Sequence, residues 1–112
     1  MSCRITVTPD FLRDLKHLAK KYKSIKQDVA NLGADLRANP NLGTDLGRHL
    51  RKVRMSITSK GKGKSGGARV ITYTVILAET DTEIKLLTIY DKSERENLSD
   101  KELLELMIKN GL

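Results

Sequence analysis

The chain has 112 residues and a formal net charge of +7, with 38% hydrophobic and 31% charged residues. This balance excludes a disordered chain, and the longest apolar run, residues 75–78, is too short to cross a bilayer. Because no signal-peptide pattern is visible and Cys3 is the single cysteine, the sequence predicts one cytoplasmic domain over residues 1–112.

The positive charge is concentrated in one region. Residues 46–78 hold eight Lys or Arg residues and no Asp or Glu, whereas the rest of the chain has thirteen basic and fourteen acidic residues. Such a window indicates a polyanionic partner, although a solvated basic surface that only keeps the protein soluble is an open alternative. The eight cations are Arg48, Arg51, Lys52, Arg54, Lys60, Lys62, Lys64 and Arg69.

The first third of the chain predicts a strand followed by two helices. Residues 4–7 read as the strand, and Thr8-Pro9-Asp10 opens the first helix. From Ser24 the sequence Ser-Ile-Lys-Gln has the form of a capping box, which predicts a second helix that ends before Pro40. The apolar stripe predicted for the first helix is Leu12, Leu15, Leu18, Ala19 and Tyr22, and that of the second is Ile25, Val29, Leu32 and Leu36.

The middle of the chain predicts three strands. Val53, Met55 and Ile57 alternate with polar residues, so Lys52 and Arg54 are expected on one face of a strand. A flexible basic loop at 59–67, a strand at 68–77, a turn at 79–82 and a strand at 83–90 follow. Connections this short favour an antiparallel meander.

A helix is predicted to close the chain. Ser99 and Glu102 form a capping box, and Leu98 with Leu103 forms a hydrophobic staple, so we expect a helix over about 100–109. Its predicted apolar stripe is Leu103, Leu104, Met107 and Ile108. The order β-α-α-β-β-β-α predicts a compact α+β fold with an antiparallel sheet packed against helices.

Nucleotide and metal motifs are not found. The segment from Lys62 to Ser65 resembles the end of a phosphate-binding loop, but Thr58 stands where that motif needs glycine, and a strand follows instead of a helix. One cysteine and two histidines give no zinc spacing. We therefore expect no cofactor and no metal.

Aromatic residues and histidines add few candidates. Tyr73 and Tyr90 can stack on bases or can be half-buried strand tyrosines. His17 lies among lysines of a predicted helix and is expected to be exposed. His49 flanks the basic strand and can exchange protons near neutral pH, or it is an ordinary lone histidine without a role.

Cations alone can promote cleavage of RNA by its own 2′-hydroxyl. Lys and Arg align the phosphodiester and stabilise its developing charge, and a lysine whose pKa is depressed by neighbouring cations can act as the base. Lys52, Arg54 and Arg69, if they lie on adjacent strands, are the residues expected to do this.

Three segments resemble the RelE and HigB toxin superfamily: Lys-Val-Arg-Met at 52–55, the glycine-rich stretch at 61–71 and Leu-Leu-Thr-Ile-Tyr-Asp-Lys at 86–92. The resemblance covers nearly the whole chain, including the order of elements. It implies a RelE-like fold, a toxin that cleaves mRNA on the ribosome with a metal-free Lys/Arg cluster, and neutralisation by a cognate antitoxin.

The resemblance also assigns residues. The family's basic pair falls on Lys52 and Arg54, and its phosphate-binding arginine falls on Arg69. Ser93 stands in place of a further arginine, and Asn97 and Leu98 stand about where a catalytic tyrosine is found, so Tyr90 and Lys92 are candidates for part of those roles. The predicted catalytic residues are Lys52, Arg54, Arg69, Tyr90 and Lys92, and the predicted RNA-binding residues are Arg51, Lys60, Lys62, Lys64 and Tyr73.

Two other functions fit the same residues. A non-catalytic RNA- or DNA-binding module needs only the basic stripe. An inactive toxin relic would keep antitoxin binding after losing cleavage, which the changed residues Ser93 and Asn97 allow.

Overall fold

The computed structural model describes residues 2–112 and is built around a five-stranded mixed sheet. The strands are β1 (Ser2–Val7), β2 (Thr44–Gly47), β3 (Leu50–Met55), β4 (Ala68–Ala78) and β5 (Asp81–Asp91), in the spatial order β1-β5-β4-β3-β2. The predicted antiparallel meander is confirmed for β3, β4 and β5, and β1 pairs with β5 in parallel. The α+β fold class is therefore confirmed.

Three helices flank the sheet: α1 (Pro9–Ala19), α2 (Ile25–Ala38) and α3 (Asp100–Lys109). A short 3-10 helix (Thr58–Lys60) follows β3. The Thr8 hydroxyl accepts a hydrogen bond from the Phe11 N–H at 3.2 Å and so begins α1. No helix among residues 2–112 has the length and apolar character that a membrane span needs.

The capping predictions have opposite outcomes. At α3 the capping box is confirmed, because Ser99 Oγ accepts from the Glu102 N–H and the Glu102 carboxylate accepts from the Ser99 N–H. At α2 the capping box is wrong, since Ser24 Oγ makes no cap and instead donates to Asp28 Oδ2 at 2.8 Å. Tertiary contacts of Asp28 therefore decide where the Ser24 side chain bonds.

Strand β2 was not predicted from the sequence. It forms a hairpin with β3 through Arg48 and His49, whose φ values are 55° and 67°. Hairpin turns with two positive φ values usually contain Asn-Gly or Asp-Gly, so Arg-His gives no local signal. The predicted strand residue Ile57 lies beyond the end of β3, where it precedes the 3-10 helix.

The sheet has a hydrophobic core on each face. Phe11, Leu18, Ile25 and Leu36 pack from α1 and α2 against one face. On the other face Leu103 of α3 packs with four residues of the sheet, namely Leu50, Ile71, Leu87 and Tyr90. Lys52 and Arg54 share a face of β3 with Leu50 by strand alternation, but they are only partly covered or exposed.

The predicted α1 stripe is confirmed except at Leu12, and the predicted α3 stripe is confirmed at Leu103 and Met107 only. Leu12 of α1 is 52% exposed, and Phe11 takes the buried position instead. In α3, Leu104 and Ile108 are exposed, while Leu106 packs beside Leu103. Adjacent apolar residues on a helix leave its rotation to the surface it meets. The α2 stripe is confirmed, with Ile25, Leu32 and Leu36 buried and Val29 packed beside them.

Gly67 is expected to be intolerant of a side chain, because a Cβ there would lie 2.0 Å from the Met55 carbonyl oxygen. Gly67→Ala should lower the free energy of unfolding by about 3 kcal/mol through forced backbone movement. Gly33→Ala is the matched control, since a Cβ on α2 meets only Arg37 Nη1 at 3.9 Å, and it should raise stability by about 0.5–1 kcal/mol. Urea unfolding measures both, and equal effects would contradict the packing at Gly67.

Candidate active site

The register of β3 and β4 brings predicted site residues together. Arg54 lies directly opposite Arg69, and Arg69 lies opposite Tyr90 of β5. Residues in directly opposed positions point to one face of a sheet. Lys52 precedes Arg54 by two residues on the same strand, so it points to that face as well. Lys52, Arg54 and Arg69 therefore occupy one patch of the sheet.

A cleft of about 750 Å³ opens along the outer edge of β3, beyond the end of β2. Five cations line it, from β3, β4, the glycine-rich loop and the end of β5: Lys52, Arg54, Lys64, Arg69 and Lys92. Asn31 and Asp35 of α2 line the part of the cleft on the other face of β3. Glu96 and Asn97, from the segment between β5 and α3, complete the lining on the cationic face.

Arg69 lies at the buried side of the cleft and holds the backbone of the glycine-rich loop. Its side chain is buried, and Nη1 donates to the carbonyl oxygens of Lys64 and Ala68 at 3.0 Å, while Nη2 donates to that of Ser65 at 3.2 Å. Burial, reinforced by the charge of Arg54, lowers the pKa of Arg69. The guanidinium thus holds the loop that carries Lys64 while adding positive potential to the cleft.

Lys52 bridges two elements of the cleft. Its Nζ donates to Asn97 Oδ1 at 2.8 Å, which ties β3 to the segment that precedes α3. Asn97 is the residue that stands about where the resemblance places a catalytic tyrosine. An amide there accepts a hydrogen bond from Lys52, so its role in this chain is to fix the position of the ammonium.

Lys60 does not line the cleft. Its side chain is 13% exposed, and Nζ lies 2.7 Å from Oδ1 of Asp91, which is fully buried. Tyr22 and Ser93 also donate to the Asp91 carboxylate. Burial raises the pKa of Asp91, but the hydrogen bonds from Lys60, Tyr22 and Ser93 outweigh it and hold the pKa well below its usual range. This ion pair anchors the residue that precedes Lys92.

Four other predicted residues lie outside the cleft lining. Tyr90 is 8% exposed in the core under α3, its hydroxyl has no hydrogen-bond partner among residues 2–112, and burial raises its pKa. Tyr73 meets His49 edge to face at 6.1 Å, near the β2–β3 hairpin. Arg51 donates to the carbonyl oxygens of Asn41 and Gly43. Lys62 is exposed on the glycine-rich loop.

Sequence reasoning missed the acidic and amide residues of the cleft. Asn31 and Asp35 are spaced i, i+4 beside the buried stripe of α2, so their exposure could be predicted but their proximity to the cations could not. Glu96 had no local signal at all. Within the described part of the chain, no three His, Cys, Asp or Glu side chains come together as metal ligands.

The fold and the cleft define a class of protein: a small α+β protein with helices on both faces of a mixed sheet and a cationic cleft at its β3 edge. The family model described as the RelE toxin of the RelE/RelB toxin–antitoxin system matches residues 13–109, and the chain belongs to this family. The protein is therefore a toxin-family member, and its family implies an antitoxin as partner. The family resemblance inferred from the sequence is confirmed.

Removing the Lys60 ammonium should destabilise the fold. Lys60→Met removes the nearer cation of the buried Asp91 carboxylate and leaves only Lys21 at 3.9 Å, which costs about 3 kcal/mol in the free energy of unfolding. Lys62→Met, at an exposed position on the same loop, should change stability by less than about 0.5 kcal/mol. Chemical denaturation of both variants tests this, and a Lys60→Met protein as stable as Lys62→Met would contradict the buried pair.

The depressed pKa of Asp91 predicts a specific acid sensitivity. Its contribution to stability is complete above the pKa of an unfolded Asp, about 3.9, and is lost as pH falls through that value toward the lower folded pKa. Asp91→Asn should therefore lose less stability than the wild type between pH 7 and pH 3.

Other carboxylates with lowered pKa values also titrate between pH 7 and pH 3, but they do so equally in the wild type and in Asp91→Asn. Asp10, whose pKa is lowered by a hydrogen bond from Lys109, and Glu102, whose pKa is lowered by the Ser99 N–H, titrate in both proteins. Urea unfolding at a series of pH values isolates Asp91, and parallel curves for wild type and variant would refute its role.

Proposed function

We propose that this chain is a ribosome-dependent mRNA endoribonuclease, an mRNA interferase, that uses a metal-free cluster of Lys and Arg residues. The observation that carries the proposal is the convergence of Arg54 and Arg69 with Lys52 in one cleft. Cations gathered in a partly desolvated cleft stabilise the charge that develops on a phosphodiester in its transition state.

The positions of the cations suggest their roles. Arg54 is exposed and offers a planar pair of donors to the scissile phosphate. Lys52, held by Asn97, stabilises charge on the phosphate oxygens, and the buried Arg69 strengthens the positive field.

Lys92, which lines the cleft, protonates the leaving oxygen. Lys62 and Lys64, exposed on the loop, bind the RNA backbone.

The size of the cleft fits single-stranded RNA. Its volume of about 750 Å³ lies within the usual range of small-ligand sites and is large enough for a nucleotide. Membership of the toxin family supports translating ribosomes as the place where this mRNA is presented, and hence the cytoplasm as the place of action. In this proposal residues 1–112 act as one toxin domain, and the antitoxin suppresses the activity.

An inactive relic that still binds an antitoxin is the second candidate. Two observations favour it: Tyr90 is buried away from the cleft, and Asn97 provides no phenol in the place of the family tyrosine. A non-catalytic nucleic-acid-binding module would need the same cations. The binding module predicts salt-dependent binding of nucleic acid, and the relic predicts binding of the antitoxin. Neither alternative predicts cleaved mRNA.

Arg54→Ala tests the nuclease directly. Expression of the wild type without antitoxin should arrest growth and yield discrete mRNA cuts in translating ribosomes, and loss of Arg54 should slow cutting about 100-fold or more. The salt dependence of RNA binding should fall by about one phosphate contact. Arg37→Ala, an exposed arginine of α2 outside the cleft lining, should behave as wild type.

Arg54 is preferred over Arg69 in this test because Arg69 also holds the loop backbone. Growth unaffected by a well-folded wild type, with no cuts in ribosome-bound mRNA, would defeat the nuclease proposal. Retained RNA binding in that case would favour the binding module, and retained antitoxin binding alone would favour the relic.

A further inference from the structure

Three carboxylates line the cleft, and they differ in what they contact. Asp28 is buried and accepts hydrogen bonds from Ser24 Oγ, the Thr58 N–H and Thr58 Oγ1 at 2.6–3.0 Å. Its lone pairs are engaged in holding α2 to the 3-10 helix. Asp35 and Glu96 are exposed and form no hydrogen bond or ion pair through their side chains within residues 2–112.

The two open carboxylates lie on different sides of the sheet. Asp35 belongs to α2, whose buried side chains pack on the face of β3 that carries Val53 and Met55. Glu96 precedes Asn97, which accepts from Lys52 Nζ at 2.8 Å on the opposite face. Glu96 therefore belongs to the segment that Lys52 holds against the cationic face, whereas Asp35 belongs to the helix on the other face.

Glu96 also stands apart from its neighbours in sequence. Asp91 is paired with Lys60 at 2.7 Å, Glu94 with Lys21 at 3.6 Å and Glu102 with Arg95 at 2.6 Å. Each of these carboxylates is paired with a cation of the fold, and none of them lines the cleft where a substrate proton would be accepted. Glu96 lines the same cleft as Lys52, Arg54 and Lys92, and its side chain forms no ion pair within residues 2–112.

Cleavage by the 2′-hydroxyl requires a proton acceptor that the cations do not provide. The sequence also allows a neutral lysine as the base, but Lys52 Nζ is engaged as a hydrogen-bond donor to Asn97 Oδ1 at 2.8 Å. Arginine and the lysine ammonium have no lone pair to offer, and an amide is a poor base. Neither His17 nor His49 lines the cleft. A carboxylate beside the phosphate-binding cations has both the lone pair and the position that general base catalysis needs.

We infer that Glu96 is the general base that accepts the 2′-hydroxyl proton, an assignment that rests on the proposed nuclease function. The 2′-oxygen then bonds to phosphorus, and the bond from phosphorus to the 5′-oxygen breaks. Lys92 gives that oxygen a proton, so the products carry a 2′,3′-cyclic phosphate and a 5′-hydroxyl. Glu96 returns its proton to water and Lys92 regains one, while Lys52 remains an electrostatic group.

The test uses the full chain, ribosomes programmed with a defined mRNA, and the cutting rate at saturating protein. Glu96→Gln keeps the shape of an exposed side chain and removes its basicity, so cutting should slow about 100-fold or more while ribosome binding is not weakened. Glu79→Gln, the same change at an exposed glutamate of the β4–β5 turn outside the cleft lining, is the matched control and should cut at the wild-type rate. Added formate should restore part of the cutting by Glu96→Ala, because a free carboxylate can then take the proton.

Each other outcome counts against the assignment. A Glu96→Gln protein that cuts within about 10-fold of wild type overturns it, as does an equal loss in Glu79→Gln. A loss explained by weaker ribosome binding, or no recovery with formate, makes Glu96 a binding or positioning residue and overturns it too. A wild type that binds ribosomes but cuts no mRNA refutes the nuclease proposal itself, which separates the two failures.

Discussion

Arg54 and Arg69 are held directly opposite each other on β3 and β4, and the rest of the cleft depends on that pairing. Like charges in opposed positions repel, so a sheet tolerates them only when other contacts compensate. Here the Arg69 guanidinium is surrounded by the carbonyl oxygens of Lys64, Ser65 and Ala68. These carbonyl oxygens compensate the repulsion between the two arginines and fix the loop. The two guanidinium groups together produce a concentrated positive field, which favours binding of a phosphodiester.

A second interaction supports this arrangement at the same end of the strands, one register position away, where Ala68 lies opposite both Met55 and Asp91. Asp91, fully buried, accepts from Lys60, Tyr22 and Ser93, and so joins the turn after α1, the 3-10 helix and the end of β5. Gly67 connects the glycine-rich loop to the same segment, since its carbonyl oxygen accepts a hydrogen bond from the Lys92 N–H. The cation of Lys60 is therefore used for stability, whereas the nearby cations of Lys64 and Lys92 remain at the cleft. A basic window in a sequence does not distinguish these two uses.

Much of the fold could be predicted, because its signals are local. Strand alternation at residues 52–55 put Lys52 and Arg54 on one face, and the capping box at Ser99 began α3 correctly. Predictions failed where a distant contact competes with a local preference. The N–H of the distant Ser59 donates to Ser24 Oγ, which does not cap α2, and the surface beneath α1 buries Phe11 instead of Leu12.

The sequence by itself determined the fold class, the concentration of positive charge and the toxin family, since periodicity, composition and motif spacing are properties of neighbouring residues. Only the tertiary structure decided which charges share a site. Lys60 is separated by 31 residues from Asp91, and Lys52 by 45 residues from Asn97, and no pattern along the chain encodes such pairs. The position of Glu96 beside the cations follows from the same long-range packing, because the Lys52 bond to Asn97 brings the segment before α3 onto the open face of β3.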